Sequence, residues 1–349
     1  MVSPIAFTVR HPGADLPRNA WPPGLLRIFR RPRPASRRNH RPINIAPGTH
    51  PMQLAKNGFS ANPRIEFALD RQRPVLPAPD GKPIIVHFVL NVEYWPFDRP
   101  MPRKLLTAPH GADHVPDVPN FSWAEYGLRV GLPRMLRLFR QREVPVSVSL
   151  NASVIDAYPA CADAILETGW ELIGHGAHQA SIQAAESEGE IVAQSLRRLR
   201  EVSGQKVRGW LSPGLRESLS TPDILADNAI DYVYDWGLDD LPNWLSTHSS
   251  PIIAMPYSLE LNDSVVYAVE RHRSDELFSR LRLTLDCIGN ELPEVGPRVL
   301  GIGLHPHLMG VPHRFPFLQR MVDLLAQRPD VRFMSGSDIA DWFSAGGRS

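Results

Sequence analysis

The sequence predicts an α/β protein whose strands form a closed or nearly closed β/α barrel. From residue 84 onward, short apolar runs rich in β-branched residues alternate with amphipathic segments of helical period. Seven or eight such strands occur, with a helix in most of the gaps between them, and this number favours a barrel over an open sheet. No internal repeat of fixed period is present, so a solenoid is disfavoured.

The predicted elements follow in chain order. The first strand is the apolar run IIVHFVL from Ile84, which ends at Asn91 to Glu93. Residues 96–120 form a loop too long for a simple connection, and such loops often cover or bind a ligand. The remaining strands are predicted at 145–150, 171–173, 207–211, 231–235, 251–256 and 331–334, and residues 298–307 are predicted to be a strand followed by a loop. Helices are predicted from Pro133, and at 154–168, 182–202, 222–228, 274–289, 315–327 and 337–343.

The composition excludes several classes of protein. With 349 residues and 43% hydrophobic residues, the chain can bury a large core. Its 38 Lys and Arg against 37 Asp and Glu give a net charge of +1, which implies no nucleic-acid partner. The two cysteines, Cys161 and Cys287, do not form a disulfide framework or a thiolate zinc site. No apolar run has the roughly 18 residues of a membrane span, so we expect a cytoplasmic protein without a membrane partner.

The chain divides into three parts. Residues 1–51 are rich in Pro and Arg, carry only one acidic residue, Asp15, and are predicted to be a disordered tail. A basic docking arm, an organellar address, or an extension upstream of a natural start at Met52 are the alternatives. Residues 52–82 are predicted to wrap a surface in extended form, and residues 83–349 to form the catalytic barrel.

Polar residues just past the strand ends are predicted to converge on one mouth of the barrel. In chain order they are Asn91 and Glu93, Asn151, His175, His178 and Gln179, Trp210, Ser212 and Pro213, Asp235 with Asp239 and Asp240, and His305 with His307. Of the three aspartates Asp235 is the better candidate, since Asp239 and Asp240 are more typical of a solvated, turn-forming loop. A carboxylate that acts as a base and a histidine that acts as an acid are what hydrolysis of an amide requires. No GxxxxGK loop and no GxSxG elbow is present, so neither nucleotide binding nor serine hydrolysis is supported.

Six segments, taken together and in order, resemble the polysaccharide deacetylase family, also called the NodB-homology family or carbohydrate esterase family 4. They are LNVEYW at 90–95, PDVPNFSWAEYGLRVG at 116–131, WELIGHG at 170–176, RGWLSPGLRES at 208–218, YDWGLDDLP at 234–242 and GLHPHLMG at 303–310. The similarity extends from about Pro83 to Phe343 and is greatest to the allantoinase-like and cyclic-imidase-like branch. It implies a distorted seven-stranded (β/α)7 barrel and hydrolysis of carbon–nitrogen bonds other than peptide bonds.

The resemblance implies roles for particular residues. Glu93 matches the family's catalytic base, but Tyr94 occupies the position of a metal-binding carboxylate. His175 matches one of two metal-binding histidines, whereas Gln179 occupies the second position and His178 is one residue out of register. Zinc normally takes at least three protein ligands, so the set for a divalent metal is incomplete unless His178 or His307 completes a shifted site.

His305 matches the family's general acid. RGWLSPG resembles a motif whose loop forms one wall of the substrate groove, and this implies that Trp210 stacks on a sugar or a flat ring. We therefore predict catalysis by Glu93 and His305. We predict substrate binding by Asn91, Trp210, Ser212, Pro213, Asp235, His178 and Gln179.

The predicted function is the hydrolysis of carbon–nitrogen bonds in the manner of a polysaccharide deacetylase, acting on an N-acetylated sugar. One alternative is hydrolysis of a small cyclic amide such as allantoin, hydantoin or a cyclic imide, which Tyr94 and Gln179 favour. A second is a protein that binds carbohydrate or a small ligand without hydrolysing it, although the presence of both Glu93 and His305 disfavours it. A homo-oligomer with an oligosaccharide or small-molecule substrate is expected.

Overall fold

A computed structural model describes residues 61–108, 114–183 and 185–346, so the predicted tail at 1–51 lies outside the described residues. Its strands are β1 Ile84–Val92, β2 Val146–Leu150, β3 Glu171–Gly174, β4 Gly209–Trp210, β5 Tyr232–Val233, β6 Asn243–Leu245, β7 Ile252–Ala254, β8 Arg298–Leu304 and β9 Val331–Phe333. Its α-helices are α1 Val118–Tyr126, α2 Leu132–Gln141, α3 Val154–Ala157, α4 Pro159–Leu166, α5 Glu188–Ser203, α6 Thr221–Asp227, α7 Glu276–Val295, α8 Phe315–Ala326 and α9 Gly336–Gly346.

Seven parallel strands form a curled sheet in the order β7-β5-β4-β3-β2-β1-β8. The central strand β1 pairs with β2 through Phe88 and Val146, and with β8 through Leu90 and Leu304. Strand β6 adds an antiparallel edge to β7, and β9 pairs with the first residues of β1. The carboxyl ends of the parallel strands therefore meet on one side, as the barrel prediction requires.

The ring is completed on one side by irregular backbone. The backbone amide of Val299 in β8 donates to the backbone oxygen of Asp240 at 2.8 Å, and that of Gly303 donates to the backbone oxygen of Leu261 at 3.1 Å. These bonds join β8 to the segment that contains β6 and β7 without forming a continuous ladder. The predicted distortion of the barrel is located at this seam.

Side chains along β1 alternate between two layers, as the strand geometry dictates. Those packed in the layer beneath the helices are Ile84, Val86, Phe88, Leu90 and Val92. Those facing the barrel interior are Ile85, His87, Val89 and Asn91. Full burial of an aliphatic or Phe side chain stabilises the fold by about 1.5–3 kcal/mol. The alternation places Glu93, just past the strand end, on the interior side.

The amino-terminal end of the barrel is filled by a hydrogen-bonded carboxylate. Glu171 of β3 accepts hydrogen bonds from the backbone amides of Gly336 and Ser337, both at 2.9 Å, and from the hydroxyl groups of Ser147 and Tyr232. Two of these donors belong to the first turn of α9, where a carboxylate is favoured by the helix dipole. Glu171 thereby fixes the last helix beneath the sheet.

Residues 61–82 run along the outside of the barrel with only two short 3-10 turns. Arg64 forms an ion pair with Asp223 of α6 at 2.7 Å, and Arg73 forms one with Asp239. Leu76 is buried in the same cluster as Ile85. Ile65 is buried in the cluster beneath the helices. The segment is therefore attached by two ion pairs and two buried side chains.

The structure differs from the sequence prediction around α1 and α2. The helix was expected to begin at Pro133, but α1 begins at Val118, where the side chain of Asp117 accepts from the backbone amide of Asn120. A π-helical turn, Gly127–Gly131, continues α1 directly into α2. No element was predicted for these five residues, and tertiary packing holds both of their glycines in a helical conformation.

Two further elements differ from the sequence prediction. The helix expected at 154–168 is divided into α3 and α4, because Pro159 cannot donate to the preceding turn. The antiparallel strand β6 was not predicted, since its three residues show no clear alternation. Within the described residues, no helix has the length and apolar character needed to cross a membrane.

Candidate active site

Three residues predicted from different motifs meet at the mouth of the barrel. Oε1 of Glu93 lies 3.7 Å from Nε2 of His175 and 3.5 Å from Nε2 of His305. Their side chains are 7%, 1% and 10% exposed, respectively. The carboxylate after β1 therefore stands between imidazoles delivered by β3 and β8, in a nearly water-free environment.

Glu93 is held as a carboxylate. The indole Nε1 of Trp95 donates a hydrogen bond to its Oε2 at 2.8 Å, which orients the group and leaves Oε1 toward the two histidines. Burial raises the pKa of Glu93, but the protonated His305 outweighs burial and holds this pKa well below its usual value. The group is thus ionised at neutral pH and able to accept a proton.

His305 is held as an imidazolium by a second carboxylate. Its Nδ1 lies 2.6 Å from Oδ1 of Asp263, and its backbone amide donates to Oδ2 at 2.7 Å. Burial lowers the pKa of His305, whereas Asp263 and Glu93 raise it more strongly, to about 10. The proton on Nε2 therefore points toward the site.

Asp263 was not among the residues predicted from the sequence. It is fully buried and precedes a π-helical turn, Ser264–Val269, in the segment after β7. In the sequence it is one of several acidic residues in loops, and only its proximity to His305 in the fold distinguishes it. The signal available in the sequence was indirect: a histidine that acts as a general acid needs a carboxylate partner to stay protonated.

His175 presents a hydrogen-bond acceptor to Glu93. Its Nδ1 lies 2.6 Å from the backbone oxygen of Leu211, which can only accept, so Nδ1 carries the proton. In that tautomer Nε2 has a free lone pair. Nε2 is buried, and within the described residues it has no hydrogen-bond partner. A water molecule or a substrate N–H group between Nε2 and Glu93 would satisfy both acceptors.

Asp235 lies beside His175 and forms a pair with Glu217. The amide of Ser212 donates to Oδ1 of Asp235 at 2.8 Å. Burial and the neighbouring Asp235 raise the pKa of Glu217 to about 9, and burial also raises the pKa of Asp235. Two adjacent buried carboxyl groups cannot both ionise readily, so the pair retains a proton at neutral pH. Glu217 was not singled out in the sequence.

His307 belongs to an aromatic cluster rather than to the proton-transfer group. Its ring meets Trp95 and Trp123 edge to face, with centroids 5.4 and 4.8 Å apart. Burial and the charge on His305 lower the pKa of His307 to about 3. A neutral His307 therefore supports the ring of His305, whose centroid lies 5.6 Å away.

The structure corrects the expectation that Trp210 stacks on substrate. Its side chain is 0% exposed and packs in the outer layer against Gly174 and Leu196. The alternation along β4 directs Leu211 into the barrel and Trp210 away from it. Its indole N–H donates to Ser212 at 3.0 Å, so Trp210 positions the loop after β4 instead of contacting a ligand.

Asn91, Ser212 and Pro213 are buried beneath the site. Asn91 donates to the hydroxyl of Tyr257 at 3.0 Å and to the backbone oxygen of Leu304 at 3.2 Å, and so ties β1 to β8. Pro213 packs over Gly176. These contacts are with protein groups, which means that the three residues shape the walls behind Glu93 and His305.

His178 and Gln179 lie on the loop after β3. Nε2 of His178 is 3.1 Å from the guanidinium of Arg99, and burial and Arg99 together lower the pKa of His178. The backbone amide of Gln179 donates to the backbone oxygen of Tyr94 at 2.9 Å. The side-chain Oε1 of Gln179 is buried without a hydrogen-bond partner among the described residues. Of the two, Gln179 has the free polar atom that substrate binding requires.

The residues present do not fit a three-ligand zinc site. Within residues 61–108, 114–183 and 185–346, no three His, Cys, Asp or Glu side chains are grouped so as to hold a metal ion. Tyr94 packs against the ring of Tyr158 at 6.1 Å, and His178 is directed to Arg99. His307 lies in its aromatic cluster, and among the described residues neither His178 nor His307 joins His175 in a group of metal-ligating side chains.

Close backbone packing fixes the loop that carries His305 and His307. A Cβ atom at Gly131 would lie 2.1 Å from the backbone oxygen of Pro306, and one at Gly127 would lie 2.4 Å from the amide of His307. Only glycine permits this approach of the π-helical turn to the loop. The π-helical turn, which lies between the loop predicted at 96–120 and the helix predicted from Pro133, therefore supports the general acid directly.

Comparison with known proteins agrees with the sequence motifs. No family model matches the chain. A protein of Schizosaccharomyces pombe assigned as a polysaccharide deacetylase is 29% identical over 247 residues, covering 63% of this chain and 75% of that protein. A probable polysaccharide deacetylase from Pseudomonas aeruginosa PAO1 has a similar structure, with a TM-score of 0.69 and 28% identity over 78% of this chain and 95% of its own. The structure of PuuE allantoinase gives a TM-score of 0.68 and 27% identity over 78% and 94%.

The fold and the site define a class of protein, a distorted (β/α)7 barrel with a carboxylate and a carboxylate-bound histidine at its mouth. Its relatives identify that class as the NodB-type barrel. The resemblance of this chain to the polysaccharide deacetylase family is confirmed, and an allantoinase is among the similar structures.

Proposed function

We propose that this protein hydrolyses the amide bond of an N-acetylated sugar, in the manner of a polysaccharide deacetylase. The observation that carries the proposal is the 3.5 Å contact between Oε1 of an ionised Glu93 and Nε2 of a protonated His305. A base and an acid in opposite protonation states, at facing positions, are what amide hydrolysis needs. A binding protein without catalysis has no use for them.

The steps follow from the positions of the groups. A water molecule near Nε2 of His175 donates a proton to Glu93 as its oxygen attacks the acetyl carbonyl carbon. The carbon–nitrogen bond of the tetrahedral intermediate then breaks, and Nε2 of His305 protonates the leaving nitrogen. The products are acetic acid, which releases its proton to the solvent, and the free amine. Transfer of the proton from Glu93 to His305 restores the starting state.

The first test is the variant Glu93→Gln. The amide still accepts the hydrogen bond from Trp95 but cannot take a proton, so kcat is expected to fall by at least about 10²-fold on N-acetylated oligosaccharides, while substrate binding is retained. Acetate release measures turnover, and calorimetry measures binding. The control Glu167→Gln removes an exposed carboxylate from the end of α4 and is expected to keep full activity. A fully active Glu93→Gln would rule out the mechanism.

A second candidate is hydrolysis of a small cyclic amide. The reacting groups are at most 10% exposed, an enclosure suited to a small flat ring, and PuuE allantoinase is similar in structure. Ring opening would use the same base and acid. Parallel assays on chitooligosaccharides, allantoin, hydantoin and succinimide separate the two candidates: turnover of rings alone would replace the first proposal.

The metal-ligating side chains of the described residues lead to a prediction about metal content. Because the described residues offer no three-ligand group, protein prepared without chelator is expected to contain much less than one zinc, cobalt or manganese ion per chain. Its activity is expected to withstand dialysis against a chelator. Elemental analysis measures the first quantity, and the deacetylation assay the second. Stoichiometric metal together with chelator-sensitive turnover would show a ligand set rebuilt around His175.

A further inference from the structure

The hydroxyl group of Tyr257 lies where three segments of the barrel meet. Tyr257 is buried and follows β7 by three residues. Its oxygen accepts a hydrogen bond from Nδ2 of Asn91 at 3.0 Å and another from Nδ2 of Asn262 at 3.2 Å. Both of these donor residues are buried as well. The phenol is therefore shared between the end of β1 and the segment that follows β7.

Asn91 connects this hydroxyl to the strands that carry the base and the acid. It lies two residues before Glu93, and its Nδ2 also donates to the backbone oxygen of Leu304 at 3.2 Å. Leu304 directly precedes His305. Since β1 and β8 form one continuous ladder, Asn91 gives Tyr257 a fixed point of attachment at the end of that ladder.

Asn262 connects the same hydroxyl to the carboxylate that orients the acid. It directly precedes Asp263, and its Oδ1 accepts a hydrogen bond from the backbone amide of Ser264 at 2.9 Å. The side chain of Asn262 thereby fixes the backbone on both sides of Asp263. Because Asp263 binds both Nδ1 and the backbone amide of His305, a displacement of Asn262 would reach the general acid.

Two glycines of β8 permit this arrangement. A Cβ atom at Gly303 would lie 2.5 Å from the hydroxyl oxygen of Tyr257 and 2.7 Å from Nδ2 of Asn262. One at Gly301 would lie 2.3 Å from the backbone oxygen of Pro256. Any side chain at these two positions would push the segment away from the strand. Strand β8 is therefore shaped to receive Tyr257 and Asn262 at close range.

Tyr257 contributes a fixed hydrogen-bond acceptor rather than a proton that is transferred. Burial raises the pKa of Tyr257, and the charges of Asp263 and Glu93 raise it further, against the opposing effect of the hydrogen bond from Asn91. The phenol therefore stays neutral while the base and the acid titrate. Its ring also meets that of Tyr234 at 5.7 Å between centroids, which fixes the direction of the hydroxyl group.

We propose that Tyr257 is a positioning residue, whose hydroxyl group holds Asp263 in hydrogen-bonding position against His305. The inference rests on the proposed deacetylase function and adds to it a group that acts through Asn91 and Asn262. The segment after β7 joins β8 by irregular backbone, so this side-chain junction supplies the alignment that a regular ladder would otherwise give.

The first test is the variant Tyr257→Phe, which keeps the ring and removes the acceptor. A looser contact with Asp263 lowers the pKa of His305, so the alkaline limb of the pH profile is expected to move down by about one pH unit or more, with kcat about tenfold lower and KM nearly unchanged. The control Tyr232→Phe removes a buried hydroxyl that donates to Glu171 at the opposite end of the barrel, and it is expected to keep the wild-type profile. A Tyr257→Phe protein with wild-type kcat and pH profile would overturn the proposal.

A double-mutant cycle distinguishes positioning from a general loss of structure. If Tyr257 acts through Asp263, then Tyr257→Phe is expected to change kcat by less than about twofold in the presence of Asp263→Asn, against about tenfold without it. Independent losses that multiply would contradict the assignment. Should Tyr257→Phe fail to fold, Asn262→Ala breaks the same connection at its other donor and is expected to move the alkaline limb in the same direction. An unmoved limb in that variant would also count against the proposal.

The positioning role and the deacetylase function fail in different ways. Absence of acetate release by the wild-type protein would contradict the deacetylase function. NMR titration of histidine-labelled protein would then still test Tyr257, with the His305→Gln spectrum assigning the resonance. Burial lowers the pKa of His305, Asp263 and Glu93 raise it, and His307 lies 5.6 Å away between ring centroids. This pKa is expected to be at least about one pH unit lower in Tyr257→Phe, and an equal value in both proteins would refute the positioning role whatever the substrate.

Discussion

Glu93 and His305 face each other in opposite protonation states because each has a further partner. Trp95 orients the carboxylate from one side, and Asp263 holds the imidazolium from the other. The depressed pKa of Glu93 keeps the base ionised to below pH 4.5, and the raised pKa of His305 keeps the acid protonated to about pH 10. A bell-shaped dependence of kcat/KM on pH with these limbs is expected.

The variant Asp263→Asn tests the positioning of His305. Removing the negative charge lowers the pKa of His305, so the alkaline limb of the pH profile is expected to move to lower pH, and kcat at pH 8 to fall by at least about tenfold. The profile distinguishes this role from general loss of structure, which would lower activity equally at all pH values. Asp286→Asn on the exposed face of α7 is the matched control. An alkaline limb that stays near pH 10 would contradict the assignment.

At this scale the sequence predicted the reacting groups but not their partners. Glu93 and His305 could be predicted because their positions just past strand ends and the family motifs both identify them. Asp263 and Glu217 were not, since each acquires its role from a neighbour more than 15 residues away in the chain. Trp210 was misplaced because a two-residue strand gives too little pattern to show which side faces the interior.

The continuous element from α1 through the π-helical turn to α2 positions the acid loop by backbone contact. Gly131→Ala would place a methyl carbon 2.1 Å from the oxygen of Pro306, so it is expected to destabilise the fold by about 1–3 kcal/mol and to reduce kcat by displacing His305. Thermal unfolding and acetate release measure the two effects.

A second helical glycine, Gly189, serves as a control that distinguishes the effect of the close contact from the effect of helix propensity. Gly189 lies in α5 with nothing within 4 Å of its added Cβ, so Gly189→Ala is expected to be neutral or slightly stabilising. Equal effects of the two substitutions would mean that the close approach at Gly131 is unimportant. The sequence prediction began the helix at Pro133 and assigned no element to Gly127–Gly131, because the surface against which these glycines pack cannot be seen in the sequence.

At the scale of the whole molecule, the barrel and most of its strands were predicted from periodicity, and the seam was not. A run of buried apolar residues shows that a strand exists, but irregular backbone bonds such as that from Val299 to Asp240 have no sequence pattern. The expected cytoplasmic location and homo-oligomeric state stay predictions.

The pair of Asp235 and Glu217 affects global stability as pH changes. Glu217 binds a proton in the folded state up to about pH 9 but releases it near pH 4.5 when unfolded, so its contribution to the free energy of unfolding falls as pH rises through this range. Glu217→Gln removes the titrating group and with it this fall in the free energy of unfolding. At pH 8 the variant is therefore expected to melt at least about 2–4 °C above the wild type. Below pH 4.5 this advantage should disappear. Melting curves at pH 4 and pH 8 measure the difference, and a variant less stable at pH 8 would contradict the shared proton.

The seam beside β8 also bears on how such a barrel can diversify. Glu93 and His305 follow strands that pair over seven residues, so the separation of base and acid is set by one rigid ladder. The backbone between Asp240 and Leu261 meets that ladder through only two described hydrogen bonds. Insertions or deletions there would alter the circumference and the wall facing the substrate while leaving the catalytic spacing unchanged. New specificity can therefore arise in this segment without rebuilding the chemistry.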